Sequence, residues 1–166
     1  MVLGMAVSDP MFLDKTNPEL WKSIGKFSSD IATAYRAAGI SERTAELVNL
    51  RVSQINGCAY CLDLHARKAL DAGESMQRIH LLSTWDEGNG LFTQEECAAL
   101  GIAEAVTKLP CPEERVAAIA QARLVLDDDK VAALQWLATA MNAFNRISIL
   151  SRHPVKEREL AAKKAK

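Results

Sequence analysis

An all-α fold, built as a single compact helical domain, is what this sequence predicts, and three observations carry the prediction. Apolar residues recur at three- and four-residue steps through most of the chain. Only 8 Gly and 5 Pro punctuate its 166 residues. No stretch alternates apolar with polar residues long enough to make a strand. Leu20, Ile24, Phe27, Ile31 and Tyr35 mark a first helix from Pro18 to Ala38, closed by Gly39 at the usual C-terminal position. Ser41 is an N-cap with Glu42 in the first turn, and Ala45, Val48, Val52 and Ile55 carry that helix to the Asn56-Gly57 break. A third helix runs from Cys58 to Gly73, and a shorter one covers Ser75–Ser83. The run Asp86-Glu87-Gly88-Asn89-Gly90 reads as the clearest loop. Thr93 and Glu96 form a capping box opening a helix through Leu109, which Pro110 and Pro112 end. Two further helices follow, over Glu113–Leu126 and Asp129–Ile149, with the acidic triplet Asp127-Asp128-Asp129 where the dipole of the last favours negative charge.

The chain is long enough to bury a core without disulfides or metal. Splitting it at the 86–90 loop would leave each half too little core. The expected organisation is an N-terminal segment over 1–17, a helical domain over 18–150 and a charged C-terminal tail over 151–166. The tail holds Lys156, Arg158, Lys163, Lys164 and Lys166, interrupted by Glu157 and Glu159, and reads as a solvated end.

Apolar residues make up 49% and charged residues 25%, and the formal net charge is −1. No global field therefore favours nucleic acid or an anionic membrane, and neither is an expected partner. No apolar run reaches the roughly 18 residues of a spanning helix. The first residues lack a basic n-region and are broken by Asp9-Pro10, a poor signal peptide. The expected compartment is the cytoplasm, where a C-x-x-C pair more often means redox chemistry or metal than a permanent bridge.

That pair is Cys58 and Cys61, with His65 four residues on. On one helix the three fall on one face, and Cys61 and His65 are i,i+4 neighbours. A helix N-terminus stabilises a thiolate, lowering a cysteine pKa from about 8.5 into the range of about 3.5–7.5. A nearby imidazole can take the thiol proton. By the dipole alone, the more N-terminal Cys58 is the more acidic thiol. Glu46 lies in the apolar segment Ala45–Leu50 one helix earlier, and a hairpin at Gly57 can turn it toward the sulfurs or His65 as proton acceptor or orienting group. Its alternative is a place on a polar stripe. Zinc would need four ligands, and C-x2-C-x3-H supplies three, with His80 or Glu46 left to complete the set. Two buried thiols packing as small hydrophobes are the other alternative. Haem attachment wants His directly after the second cysteine, where Leu62 stands.

Glu46, eleven intervening residues, Cys58-x-x-Cys61, three more and His65 resemble the E-x11-C-x-x-C-x3-H signature of the alkylhydroperoxidase D-like proteins, within the carboxymuconolactone decarboxylase-like superfamily. The likeness is strongest from Glu42 to Trp85, and Phe92 and Asn142–Ile149 resemble the downstream pattern. The resemblance implies an all-helical fold, a homo-oligomer (trimer or hexamer) and a thiol-dependent hydroperoxide reductase. It implies Cys61 as the peroxide-attacking thiol, Cys58 as its disulfide partner, and Glu46 with His65 as the proton-relay pair. The implied partners are a small hydroperoxide and an external dithiol reductant; the implied cycle requires no cofactor, whether metal, flavin or haem. Tyr60 is a departure, since the well-characterised branch has a relay histidine there. A general disulfide oxidoreductase is the neighbouring reading, and the decarboxylase branch lacks the redox pair.

The remaining candidates rank lower. Cys97 and Cys111 are expected to be free thiols without a role, and His80 and His153 surface or packing residues without partners. Trp21, Trp85 and Trp136 are assigned to the core or a subunit interface rather than to a cleft. Asn142, Asn145 and Arg146 are polar among apolar neighbours, pointing to hydrogen bonds at an interface or near the site.

Overall fold

The structure is a computed structural model that describes residues 9–157. It contains eight α-helices: α1 Leu13–Thr16, α2 Pro18–Ala37, α3 Glu42–Asn56, α4 Ala59–Asp71, α5 Met76–Leu81, α6 Gln94–Lys108, α7 Pro112–Ala122 and α8 Asp128–Leu150. A 3-10 helix covers Leu82–Glu87 between α5 and α6, and no strand occurs among the described residues. Arg158, Glu159, Lys163, Lys164 and Lys166 of the expected tail lie outside the described residues, as do the first eight.

α3 is the central element, packed against α4, α6 and α8. Its apolar residues point two ways, which explains why its sequence looks apolar almost all round. Val48 and Val52 join Ile31, Tyr35, Ile102, Leu134 and Met141 in one cluster. Leu47 and Leu50 join Ala69, Leu82, Phe92 and Leu100 in a second. Full burial of such side chains contributes roughly 1.5–3 kcal/mol each, so α3 is held from both faces and is a rigid platform for whatever it carries.

The caps follow the sequence. Ser41 accepts from the Thr44 N–H at 3.1 Å, and Thr93 with Glu96 makes the reciprocal capping box. Asp127 accepts from the Lys130 N–H at 2.8 Å to open α8. Gly57 ends α3 at φ 68°, a left-handed conformation that glycine adopts without penalty. The chain reverses there, and α4 returns along α3 as a hairpin.

Three expectations are corrected. The 86–90 run is not loop throughout, because the 3-10 helix reaches Glu87, with Thr84 as a kink at φ −123°. Pro112 begins α7 rather than ending α6, since a proline at the first helical position loses only a hydrogen bond that the helix end lacks anyway. α7 stops at Ala122, with turns through Leu126. Sequence pattern also fails to mark α1, whose single turn is too short for periodicity. It is tied to the end of α8, where the Leu13 N–H donates to the buried Ser151 Oγ at 2.9 Å.

Candidate active site

The hairpin of α3 and α4 pairs Glu46 with His65 and sets Cys61 in the same cavity wall as His65, with Cys58 one turn earlier on α4. Glu46 projects from α3 and is buried at 3% exposure; His65 projects from α4 at 6%. His65 Nδ1 and Glu46 Oε2 are 2.5 Å apart. With a carboxylate as acceptor, Nδ1 is the protonated nitrogen and Nε2 is left basic. The polar-stripe alternative for Glu46 therefore fails: the residue faces inward and orients an imidazole.

Cys58 is the N-cap of α4 and Cys61 lies in its first turn. Both are free and buried. Asn56 fixes the approach to this turn. Its Nδ2 donates to Asn142 Oδ1 and to Asn145 Oδ1, both at 2.9 Å, so the last residue of α3 is pinned to α8 just before the Gly57 reversal. Asn145 is fully buried and donates in turn to Ser53 Oγ at 3.1 Å. The polar residues of α8 thus hydrogen-bond to the end of α3, and Arg146 donates to Asn142 Oδ1 at 3.1 Å.

The two sulfurs are not equivalent. A cavity of about 500 Å³ opens beside α4, and its wall includes Cys61, His65 and Tyr60, with Phe12, Trp21 and Phe144 among its apolar members; Cys58 is not among its described lining residues. Cys61 Sγ donates to Ser148 Oγ at 3.7 Å, and Cys58 and Asn145 both act on its ionisation. Burial, reinforced by Cys58, pushes the Cys61 thiol up to about 11, while Ser148 and Asn145 pull it down. The depressed thiol pKa expected from a helix N-terminus is therefore not what Cys61 has: desolvation of a buried anion outweighs the dipole. The resting protein holds Cys61 as a protonated thiol in the same cavity wall as His65. On the other side, Glu46 and Lys68 are among the residues that line an open groove.

Among the described residues, no group of three or more His, Cys, Asp or Glu is arranged to hold a metal. Nor is any helix among them long and apolar enough to cross a membrane.

Sequence reasoning missed three participants. His153 is not a residue without partners: it contacts Asp14 at 3.0 Å and Ser148 at 3.3 Å, and its ring centroid lies 5.1 Å from that of Tyr60. Asp14 and His153 are 139 residues apart, so no local pattern could join them. Ser148 sits in the polar-spotted end of α8, and its seven-residue offset from Met141, another wall residue, was the one available signal. Trp21 lines the cavity, edge-on to Phe144, and its exposure corrects the core assignment. Trp85 packs in the second cluster, and Trp136 stands exposed at the surface. His80 is exposed, as expected. Cys97 is half-buried against the second cluster, and Cys111 is exposed at the N-cap of α7.

Comparisons with known proteins bear on the family and the fold. Residues 22–105 match the family model of the carboxymuconolactone decarboxylase family. The chain is 35% identical over 124 residues to the uncharacterized protein YdfG of Bacillus subtilis (strain 168), spanning 75% of this chain and 84% of that protein. Over 54 residues it is 43% identical to the alkyl hydroperoxide reductase AhpD of Coxiella burnetii, a match covering 32% of this chain and 30% of that protein. A solved structure from Agrobacterium tumefaciens, of a protein of unknown function provisionally assigned to antioxidant defence as AhpD, superposes with a TM-score of 0.76 at 31% identity, over 89% of this chain and 99% of that one.

Proposed function

The chain belongs to the carboxymuconolactone decarboxylase family as an alkylhydroperoxidase D-like member, and on that premise we propose that it is a thiol-dependent hydroperoxide reductase. One observation carries the reading: Cys61 opens onto an apolar-walled cavity next to an imidazole that a buried carboxylate orients. Cys61 is the attacking thiol, because it lines the cavity and Cys58 does not. His65, oriented by Glu46, draws the thiol proton as attack begins. The sulfur takes the terminal oxygen of the hydroperoxide, the O–O bond breaks, and the departing alkoxide receives a proton to leave as alcohol. Cys61 is then a sulfenic acid, and the Cys58 thiol condenses with it, forming the disulfide and releasing water. An external dithiol returns two electrons and two protons to restore both thiols. The scheme uses thiols and protons only.

Phe12, Trp21 and Phe144 in the cavity wall favour an organic hydroperoxide with an apolar substituent over hydrogen peroxide. The homo-oligomer, a trimer or hexamer, belongs to the same proposal. Exposed Val116, Leu124 and Trp136 are in keeping with a covered surface, and sedimentation velocity tests it. We place the enzyme in the cytoplasm, where dithiol systems are available.

The deciding experiment is turnover of small organic hydroperoxides with a supplied dithiol. Peroxide consumption should be clear in the wild type and lost in both Cys58→Ser and Cys61→Ser. Reduction of a model disulfide without any peroxide consumption would replace this reading by a general disulfide oxidoreductase.

A further inference from the structure

The hydrogen bonds of Cys61 do not lead only to its helix neighbours. Its thiol donates to Ser148 Oγ at 3.7 Å, and Ser148 Oγ lies 3.3 Å from His153 Nδ1. The other ring nitrogen, Nε2, is 3.0 Å from Asp14 Oδ1. The imidazole is held in place by more than these bonds. Phe12 stacks on it at 5.7 Å with ring planes 16° apart, and Tyr60 leans against it at 5.1 Å. The backbone is fixed on both sides, by Arg152 in a left-handed turn at φ 52° and by the Leu13 N–H to Ser151 Oγ bond. Four residues from α1, α4, α8 and the segment after α8 thus form one connected line.

The line has a single consistent polarity. A carboxylate accepts, so the Asp14 contact assigns the ring proton to Nε2 and leaves a lone pair on Nδ1. Ser148 then donates its hydroxyl proton to Nδ1 and keeps a lone pair for the Cys61 thiol. Each donor meets an acceptor from sulfur to carboxylate. This is the arrangement of nucleophile, base and orienting acid that activates nucleophiles elsewhere, here with a hydroxyl interposed.

We propose that Asp14, His153 and Ser148 form a second proton path to Cys61, separate from the Glu46–His65 pair. The proposal rests on the reading of Cys61 as the attacking thiol. As the Cys61 sulfur bonds to the peroxide oxygen, its proton passes to Ser148 Oγ while the Ser148 proton passes to His153 Nδ1. The imidazolium so formed is stabilised by Asp14. The reverse transfer returns one proton toward the departing alkoxide, so the path begins and ends the step unchanged. Ser148 is the group in contact with the sulfur; His153 and Asp14 are positioning residues that act through it.

The test reads thiol reactivity rather than turnover. The reduced full-length protein is alkylated with iodoacetamide at neutral pH, and modification of Cys61 is followed by peptide-resolved mass spectrometry, which separates it from Cys97 and Cys111. Ser148→Ala and Asp14→Asn should each slow Cys61 alkylation by about tenfold, less than the full 10²–10⁴-fold of a general base because Glu46–His65 remains. Ser148→Thr, which keeps the hydroxyl, should restore the rate. Wild-type rates in either Ser148→Ala or Asp14→Asn overturn the path, and so does a loss in Ser148→Thr equal to that in Ser148→Ala. If Ser148→Ala fails to fold by circular dichroism, His153→Gln carries the same expectation and the same refutation. Peroxide turnover with unchanged alkylation removes only the path. Absent turnover with path-dependent alkylation removes only the peroxidase reading.

Discussion

Replacing Glu46 by Gln isolates the charge in the first relay. The amide oxygen can still accept from His65 Nδ1, so the tautomer and ring orientation are kept, and what disappears is the negative charge 2.5 Å from the ring. That charge matters when His65 takes the Cys61 proton and becomes an imidazolium. Both side chains are buried, with 4% and 8% exposure, so water screens the pair little. A hydrogen bond to a charged group contributes about 1.5–3 kcal/mol. At about 1.4 kcal/mol per tenfold in rate, its loss from the transition state slows thiol activation roughly 10- to 150-fold. The lower end applies where the Ser148 path still assists proton removal in the Glu46→Gln variant, and adding Asp14→Asn should then push the loss to the upper end. The assay is single-turnover disulfide formation after one equivalent of an organic hydroperoxide, quenched by alkylation, with thermal melts confirming the fold. A Glu46→Gln rate within about threefold of wild type, less than 1 kcal/mol, would refute the relay as reasoned.

Two further outcomes follow from burial and backbone geometry. Cys61 moves from its ordinary value of 9.0 to about 11 on folding, so the folded state retains a proton that the unfolded chain has lost between those values. Stability from this group is complete below about pH 9 and is lost as pH rises through about 11, on the order of 2–3 kcal/mol in all. Tyr35, pushed by burial and its hydrogen bond to Glu42 from 10.0 to about 12, adds a second loss at higher pH. Denaturant titrations of the reduced protein at rising pH should therefore show falling stability from pH 9 in the wild type and a flatter course in Cys61→Ala; parallel curves would contradict the burial argument. Gly57→Ala should cost about 1–2 kcal/mol in chemical denaturation through backbone strain alone, because a Cβ there meets nothing within 4 Å and φ is 68°. A loss near zero would mean that the hairpin tolerates a different turn.

The parts of this molecule that the sequence made visible are those fixed by short-range chemistry. Ser41, Gly57 and Thr93 with Glu96 cap helices through neighbours three or four residues away, and each does so in the structure. The spacing of Cys58, Cys61 and His65 is likewise local, and one hairpin suffices to bring Glu46 to His65. What stayed hidden depends on contacts across the whole chain. α1 exists through Ser151 and His153 at the far end, and nothing near Leu13 announces it. His153 and Ser148 look ordinary until α8 is laid against α4. The thiol pKa departs from the sequence expectation for a different reason: the dipole at a helix start is readable from sequence, whereas the desolvation that overrides it depends on how α8 covers α4.

That override bears on why Cys61 would have two bases within reach. A thiol at about 11 is ionised to only about one part in ten thousand at pH 7, so its nucleophile must be formed during attack rather than stored. Burial then acts as a gate, since an external electrophile meets a neutral thiol unless it enters the cavity and comes within reach of the relay. Under the proposed reaction, Glu46–His65 and Asp14–His153–Ser148 are two routes to the same end, one built within the hairpin and one reaching it from both ends of the helical array. Tyr60 stands where the family resemblance places a relay histidine, and His153 lies against its ring. On the proposed path, the imidazole missing between the two cysteines has a counterpart brought from beyond α8. A site assembled this way ties its acid–base chemistry to the docking of α1 on α8, so a change that loosens Leu13 from Ser151 would act on Cys61 without touching the C-x-x-C motif itself.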